Sequence, residues 1–215
     1  MYSAYLAPIS YYRTFLRECA VDAQSVGDER WQKQTLRNRC YIDSPSGPLS
    51  LTVPVVHPVP GALMRDVRIS DHGEWRHQHW NALCSSYRQT PFFDYYEEDF
   101  RPFYEERRWT FLIDFNEELV AKCCELIDLQ PNILRTHEYT AQDSQRCDFR
   151  SSIHPKQNFE NDTEFVATPY YQVFQHKHGF LPNLSIVDLI FNMGPEALLV
   201  LMNSLAQPIS PASNG

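Results

Sequence analysis

The sequence predicts a mixed α/β fold: a small mixed sheet, begun by a βαβ unit and a hairpin, flanked by helices concentrated in the C-terminal half. Three observations predict it. Apolar residues alternate at period two on both sides of a dense turn at residues 44–48. They recur at helical spacing through residues 74–128 and again after Ser185. Composition is that of an ordinary globular chain, with 43% hydrophobic and 21% charged among 215 residues. A chain of this length buries about 70% of its unfolded surface and needs neither disulfide nor metal to fold. One domain is therefore expected over residues 1–206, with residues 207–215 as a flexible C-terminal tail that holds two prolines.

Each element has its own signal. Residues 2–6 are short and aromatic and read as a strand. Pro8 suits a first helical turn, and Ile9, Tyr12, Phe15, Leu16 and Cys19 follow at helical spacing. Residues 19–26 then return as a second strand, which closes the βαβ unit. Leu36, Asn38, Cys40 and Ile42 alternate before the turn, and Leu49, Leu51, Val53 and Val55 alternate after it. Pro54 cannot donate to a ladder and marks an edge or the end of pairing. Residues 56–63, with Pro58, Pro60 and Gly61, read as a loop, and Val67 and Ile69 as one more short strand. Helices are expected over 74–89, over 92–106 with an interruption near Pro102, and from an N-cap at Asn116 to about residue 128. A strand follows over 133–139 and a polar loop over 141–164. Pro169 opens a helix that Gly179 closes, residues 185–193 form another that Gly194-Pro195 ends, and residues 196–205 form the last.

Several function classes are disfavoured by what the chain carries. A net charge of −8 does not suit nucleic-acid binding, which needs a basic surface. No run of about 18 apolar residues is evident, so no membrane-spanning helix is expected, and the first residues lack the pattern of a secretory signal. The six cysteines, at 19, 40, 84, 123, 124 and 147, fit no zinc spacing and read as free thiols in a reducing cytoplasm. Neither a Gly-x-Gly-x-x-Gly nor a P-loop is present, and Ser10 and Ser185 lack a nucleophile-elbow context. No cofactor and no metal are expected. The oligomeric state stays open.

Two constellations carry candidate chemistry. On a strand, Lys33, Arg37 and Arg39 point the same way at period two, with Asn38 between the arginines. Three cations on one face would hold a phosphate or carboxylate; the alternative is a solvated basic face. The basic residues lean to arginine, 15 against 4 lysines, which suits planar anion recognition or reflects genome composition alone. On the helix beginning near residue 74, Trp80, Leu83, Cys84 and Tyr87 make the apolar stripe. Trp75 and His79 flank it one turn apart. That places His79 at the border of core and solvent, as a general base or as a structural histidine. Arg76 lies near the stripe and requires a carboxylate partner or a ligand. Trp75 and Tyr87 would offer flat surfaces. The acids of residues 94–106 read as a solvated face, His176 and His178 as charges suited to a helix C-terminus, and Ser185 with Asp188 as a capping box.

Six motifs then occur in order: Tyr5-Leu6-Ala7-Pro8-Ile9-Ser10-Tyr11-Tyr12, Lys33-Gln34-Thr35-Leu36-Arg37-Asn38-Arg39, Leu51-Thr52-Val53-Pro54-Val55, Trp75-Arg76-x-x-His79-Trp80, Tyr87-x3-Pro91-Phe92-Phe93, and the run from Phe180 through Pro182-Asn183-Leu184-Ser185-Ile186-Val187-Asp188-Leu189 to Phe191-Asn192-x-Gly194. With these the sequence resembles the WbqC-like protein family over nearly its full length. The resemblance implies a role in bacterial O-antigen and surface-polysaccharide biosynthesis, with glycine or aminoacyl transfer as the associated activity, and it supplies no catalytic residues. Combined with the residues, it gives an expected cytoplasmic transferase-type enzyme. This would pass an aminoacyl, glycyl or acyl group to an amino sugar, using an anionic small-molecule substrate (a sugar nucleotide or a carrier-bound acyl or aminoacyl group). His79 would be its base, with Lys33, Arg37, Asn38, Arg39, Trp75, Arg76 and Tyr87 binding substrate. The alternative is a non-catalytic ligand-binding or assembly protein of the same pathway, with residues 92–106 as a partner surface.

Overall fold

The hairpin forms where the alternation places it. In a computed structural model that describes residues 2–16, 23–26, 29–131, 133–136 and 165–205, β2 (Arg39–Ile42) pairs antiparallel with β3 (Leu49–Thr52), Arg39 opposite Thr52 and Ile42 opposite Leu49. Cys40, Ile42 and Leu51 enter the core. The connecting turn closes with the Gly47 N–H donating to the Ser44 carbonyl at 2.9 Å, and the Gly47 φ of +98° is one that glycine adopts without strain.

The first unit differs from expectation. Residues 2–6 are buried but form no strand; they run as an extended segment and a turn in which Leu6 has φ +38°. Their backbone bonds go to single distant partners instead of a ladder: Tyr5 N–H to the Leu36 carbonyl, and the Ala7 carbonyl to Ile186 N–H. α1 (Ile9–Arg13) follows with a 3-10 turn over Thr14–Leu16. β1 (Ala23–Val26) lies within the second expected strand but pairs in parallel with β4 (Ile133–Thr136), well along the chain. Among the described residues the strands thus form two separate two-stranded ladders. Val67 and Ile69 reach no strand; Ile69 makes an isolated bridge with Val55.

The helical half holds the core. α2 (Trp75–Tyr87) fits its prediction closely. α3 (Phe93–Glu105) continues through Pro102 without interruption. Proline removes the N–H that would bond to the carbonyl of residue 98, and Glu98 is exposed, so water can donate to that carbonyl instead. α4 (Leu112–Leu126) starts a turn earlier than expected, because Asn116 is not its cap. The Asn116 amide is fully buried and donates to Ser3 Oγ at 2.9 Å and to the Arg37 carbonyl at 2.8 Å. α5 (Gln175–His178) is shorter than the helix expected from Pro169, and Gly179 closes it. α6 (Ile186–Met193) and α7 (Ala197–Asn203) are joined by a 3-10 turn over Gly194–Glu196. The stretch Ile186–Asn203 is apolar enough to cross a membrane, against the expectation of none. Here Gly194-Pro195 breaks it in two, and 61% of it is buried inside the fold.

α6 is the hub: it packs against α1, α2, α3, α4 and α7. Phe191 lies within 5.2 Å, between ring centroids, of each of Tyr87, Phe93 and Phe100. Burying such a ring contributes roughly 1.5–3 kcal/mol. Gly194 sits against Phe92 so closely that a Cβ would meet the ring at 2.5 Å. The expected loop over 141–164, the tail over 207–215, and Cys19 and Cys147 lie outside the described residues. Cys40, Cys84, Cys123 and Cys124 are free thiols.

Candidate active site

Most of the side chains singled out in the sequence are structural in their surroundings. Arg37 is buried, ion-paired with Glu29, and lies over the Tyr2 ring; burial lowers its guanidinium to about 10. Asn38 is buried and donates to the Val53 carbonyl at 2.9 Å. Arg39 Nε donates to Thr52 Oγ1 at 3.0 Å, across the hairpin, while Lys33 is exposed in a turn. The strand begins at Arg39, so the period-two alignment of Lys33, Arg37 and Arg39 does not arise. Arg76 has the carboxylate its position required, Asp71, and stacks on Trp75 at 4.5 Å. Trp75 and Tyr87 are buried, their rings turned into the core. They lie at opposite ends of α2, roughly 18 Å apart at 1.5 Å per residue.

His79 lies inside the core rather than at its border, at 5% exposure. Tyr5 Oη lies 2.9 Å from its Nδ1, and Tyr104 Oη lies 2.9 Å from Tyr5 Oη. The ring also bonds to the Thr52 carbonyl. A carbonyl can only accept, so the nitrogen facing Thr52 carries the proton and Nδ1 receives the Tyr5 hydroxyl proton. Burial pushes the imidazole down to about 4, so the ring is neutral at neutral pH. Trp75 packs edge-on against it at 5.1 Å.

The turn over residues 7–10 leads into the N-terminus of α1. Protein acceptors take the donors there: Ile9 N–H bonds to the Leu184 carbonyl at 3.0 Å, and Ser10 N–H to Asn183 Oδ1 at 2.9 Å. Asn183 holds a left-handed φ of +55°, which asparagine tolerates better than most residues.

A second polar cluster was not foreseen. Asp188, from α6, is fully buried, and its Oδ2 accepts from Tyr170 Oη at 2.6 Å and Gln172 Nε2 at 3.0 Å. The Tyr87 hydroxyl faces the same carboxylate and accepts the Asp43 N–H at 3.0 Å. Asp43 follows β2 and is fully buried; its Oδ1 accepts Ser44 N–H at 2.8 Å and meets His178 Nε2 at 3.1 Å. Asp43 Oδ2 has no hydrogen-bond partner among the described residues. Burial raises both carboxyls above the usual range, Asp188 to about 6. For Asp188 the tyrosine hydroxyls pull the other way and nearby Asp43 adds to the rise. His178, in α5, is the member that reaches solvent, with 20% of its side chain exposed. The capping-box reading of Asp188 fails because its Oδ2 is taken by Tyr170 and Gln172, its Oδ1 has no hydrogen-bond partner among the described residues, and Ser185 makes no capping bond. The signal in the sequence was the run from Phe180 to Gly194, but nothing local ties it to Asp43.

The profile of the WbqC-like protein family matches residues 4–162 of the chain. The chain belongs to that family. An uncharacterized protein of Mycobacterium tuberculosis, Rv1507c, is 25% identical over 197 residues, which cover 79% of this chain and 83% of its own. No solved structure matches. The match spans Asp43, Tyr87 and His79 of this WbqC-like protein, whereas Tyr170, Gln172, His178 and Asp188 follow it in the chain.

Proposed function

We propose that this WbqC-like protein is a cytoplasmic transferase-type enzyme of surface-polysaccharide biosynthesis, moving an aminoacyl, glycyl or acyl group from an anionic activated donor to an amino sugar. The observation that supports an enzyme is the cluster of Asp43, Asp188, Tyr87, Tyr170, Gln172 and His178. Taking a carboxylate out of water costs several kcal/mol even after relaxation. A scaffold is served as well by apolar or amide side chains, while group transfer needs placed acids and bases. The rival reading, an assembly protein, requires an exposed aromatic face on α3. Phe93, Tyr96, Phe100, Phe103 and Tyr104 are buried there, and Tyr95 is the exposed aromatic, at 77%.

The test is a thermal-shift screen against sugar nucleotides, acyl-coenzyme donors and aminoacyl donors, followed by mass analysis of donor–acceptor mixtures. A true donor at a hundred times its Kd stabilises by about 2.7 kcal/mol, which for a chain of this size raises Tm by roughly 5–10 °C. Transfer onto an amino sugar then appears as a new mass. Absence of both a shift and a product across all three donor classes overturns the reading.

A further inference from the structure

We infer that the α5 turn is a pH-gated cover over the buried acid cluster, latched by a doubly protonated His178 lying across Asp43. Such a cover regulates the cluster that the transferase reading above makes the working site, and its role rests on that reading.

Both ring nitrogens of His178 face atoms that can only accept. Nε2 lies 3.1 Å from the Asp43 carboxylate and 3.3 Å from the Ser44 carbonyl, and Nδ1 lies 3.3 Å from the Gly179 carbonyl. A neutral imidazole has one N–H and would turn a lone pair toward one of these oxygens, whereas an imidazolium donates at both ends. The closed position therefore favours the charged ring, and closing takes up a proton. Asp43 supplies the opposite charge with no exposure of its own, while 20% of the His178 side chain reaches solvent. The proton can thus pass between the ring and water without crossing the core.

α5 buries none of its four residues, so packing does little to hold it. Its flanks are fixed instead. Gln172 Nε2 donates to the Leu181 carbonyl at 2.8 Å, Leu181 N–H donates to Gln172 Oε1 at 2.8 Å, and Val173 N–H donates to Asn192 Oδ1 at 3.2 Å. Phe174 is buried beside them. Residues 175–179 thus span a fixed base, with His178 as the side chain that ties them to Asp43 and Ser44. Gly179, at φ +78° and with open space where a Cβ would stand, offers the hinge. Lifting the turn uncovers Asp43, whose Oδ2 has no hydrogen-bond partner among the described residues, and behind it the Tyr87 hydroxyl that faces Asp188.

Asp43 faces the latch from the end of β2; Asp188, Tyr87 and Tyr170 stand behind it, and His176 and Lys177 lie beside His178 on α5. Asp188 titrates at about 6, within the range that matters, and is separated from His178 by its own variant.

The experiment is hydrogen exchange of the full chain, read by mass spectrometry on peptides covering residues 172–181. Rates are corrected for intrinsic exchange, referred to α4 peptides, and compared at about pH 6 and about pH 8.5, either side of the range in which an imidazole changes charge. Protection of the wild-type turn should fall as pH rises, by up to about tenfold per pH unit while the ring loses its proton. His178→Gln should make protection flat with pH, and Asp188→Asn should leave the step in place. Equal protection of the wild type at both pH values, a step that survives His178→Gln, or a step that disappears in Asp188→Asn overturns the latch. No donor enters these measurements, so the donor screen decides the transferase reading separately.

Discussion

Replacing Asp188 by Asn should stabilise the protein at alkaline pH and do little in acid. In the fold the carboxyl titrates at about 6, raised chiefly by burial, against 3.8 when unfolded. The folded state therefore keeps its proton longer. Between those values it binds more protons than the unfolded chain, so stability falls as pH rises, and above about 6 the full cost of a buried charge is present. The gap corresponds to about 3 kcal/mol. The Asn carbonyl oxygen can keep the two bonds now made by Oδ2, from Tyr170 and Gln172, while the amide carries no charge. Removing it should return about 3 kcal/mol at about pH 8, or roughly 6–12 °C in Tm, and near zero at about pH 4. The groups facing the site are Tyr170, Tyr87 and Asp43, the last paired with His178. Thermal unfolding of both proteins across this range measures the difference curve. A variant destabilised equally at every pH would refute the argument, because the carboxylate would then be a net asset to the fold.

Two further outcomes follow from the geometry. His79→Gln should cost roughly 1–3 kcal/mol at neutral pH through the lost bonds to Tyr5 and Thr52. It should also remove a stability loss that the wild type suffers as pH falls from 6.5 toward 4, since the depressed folded value makes protonation favour unfolding; urea midpoints at two pH values report both effects. Gly194→Ala should cost about 3 kcal/mol or more, because its φ is +54° and the new Cβ would overlap the Phe92 ring at 2.5 Å. An unchanged urea midpoint would mean that the ring yields freely.

Local elements were legible because their signals are local. The hairpin needed only alternation and a turn, and α2 only the spacing of its stripe. What escaped was decided across the chain. Asn116 has a good capping residue type, but Ser3 and Arg37, 113 and 79 residues away, claim its amide. Asp188 fits a capping box on paper, yet Tyr170 and Gln172 supply its donors. His178 looked like a charge placed for a helix dipole, and its carboxylate partner is Asp43, on the far side of the sequence. The basic face of Lys33, Arg37 and Arg39 dissolved because the strand begins only at Arg39 and because Arg37 pairs with the Glu29 carboxylate, which one-dimensional spacing does not reveal. Arg76's need for such a partner was readable, since the burial of a guanidinium beside Trp80 and Leu83 follows from helical spacing alone.

The bridge between Pro8 and Ser185 has a consequence for how the chain is made. The segment from Tyr2 to Phe15 is buried throughout, and the backbone that receives it at Leu184 to Ile186 is synthesised 177 residues after Pro8 (185 − 8). At about 5–20 residues per second, that interval is roughly 10–35 s. For all of that time an aromatic stretch of Tyr5, Tyr11, Tyr12 and Phe15 lacks the part of its final surroundings that residues 184–186 supply. The nascent chain must shelter it in provisional contacts or hand it to a chaperone, and this protein should be more sensitive to loss of early-acting chaperones than its equilibrium stability would indicate.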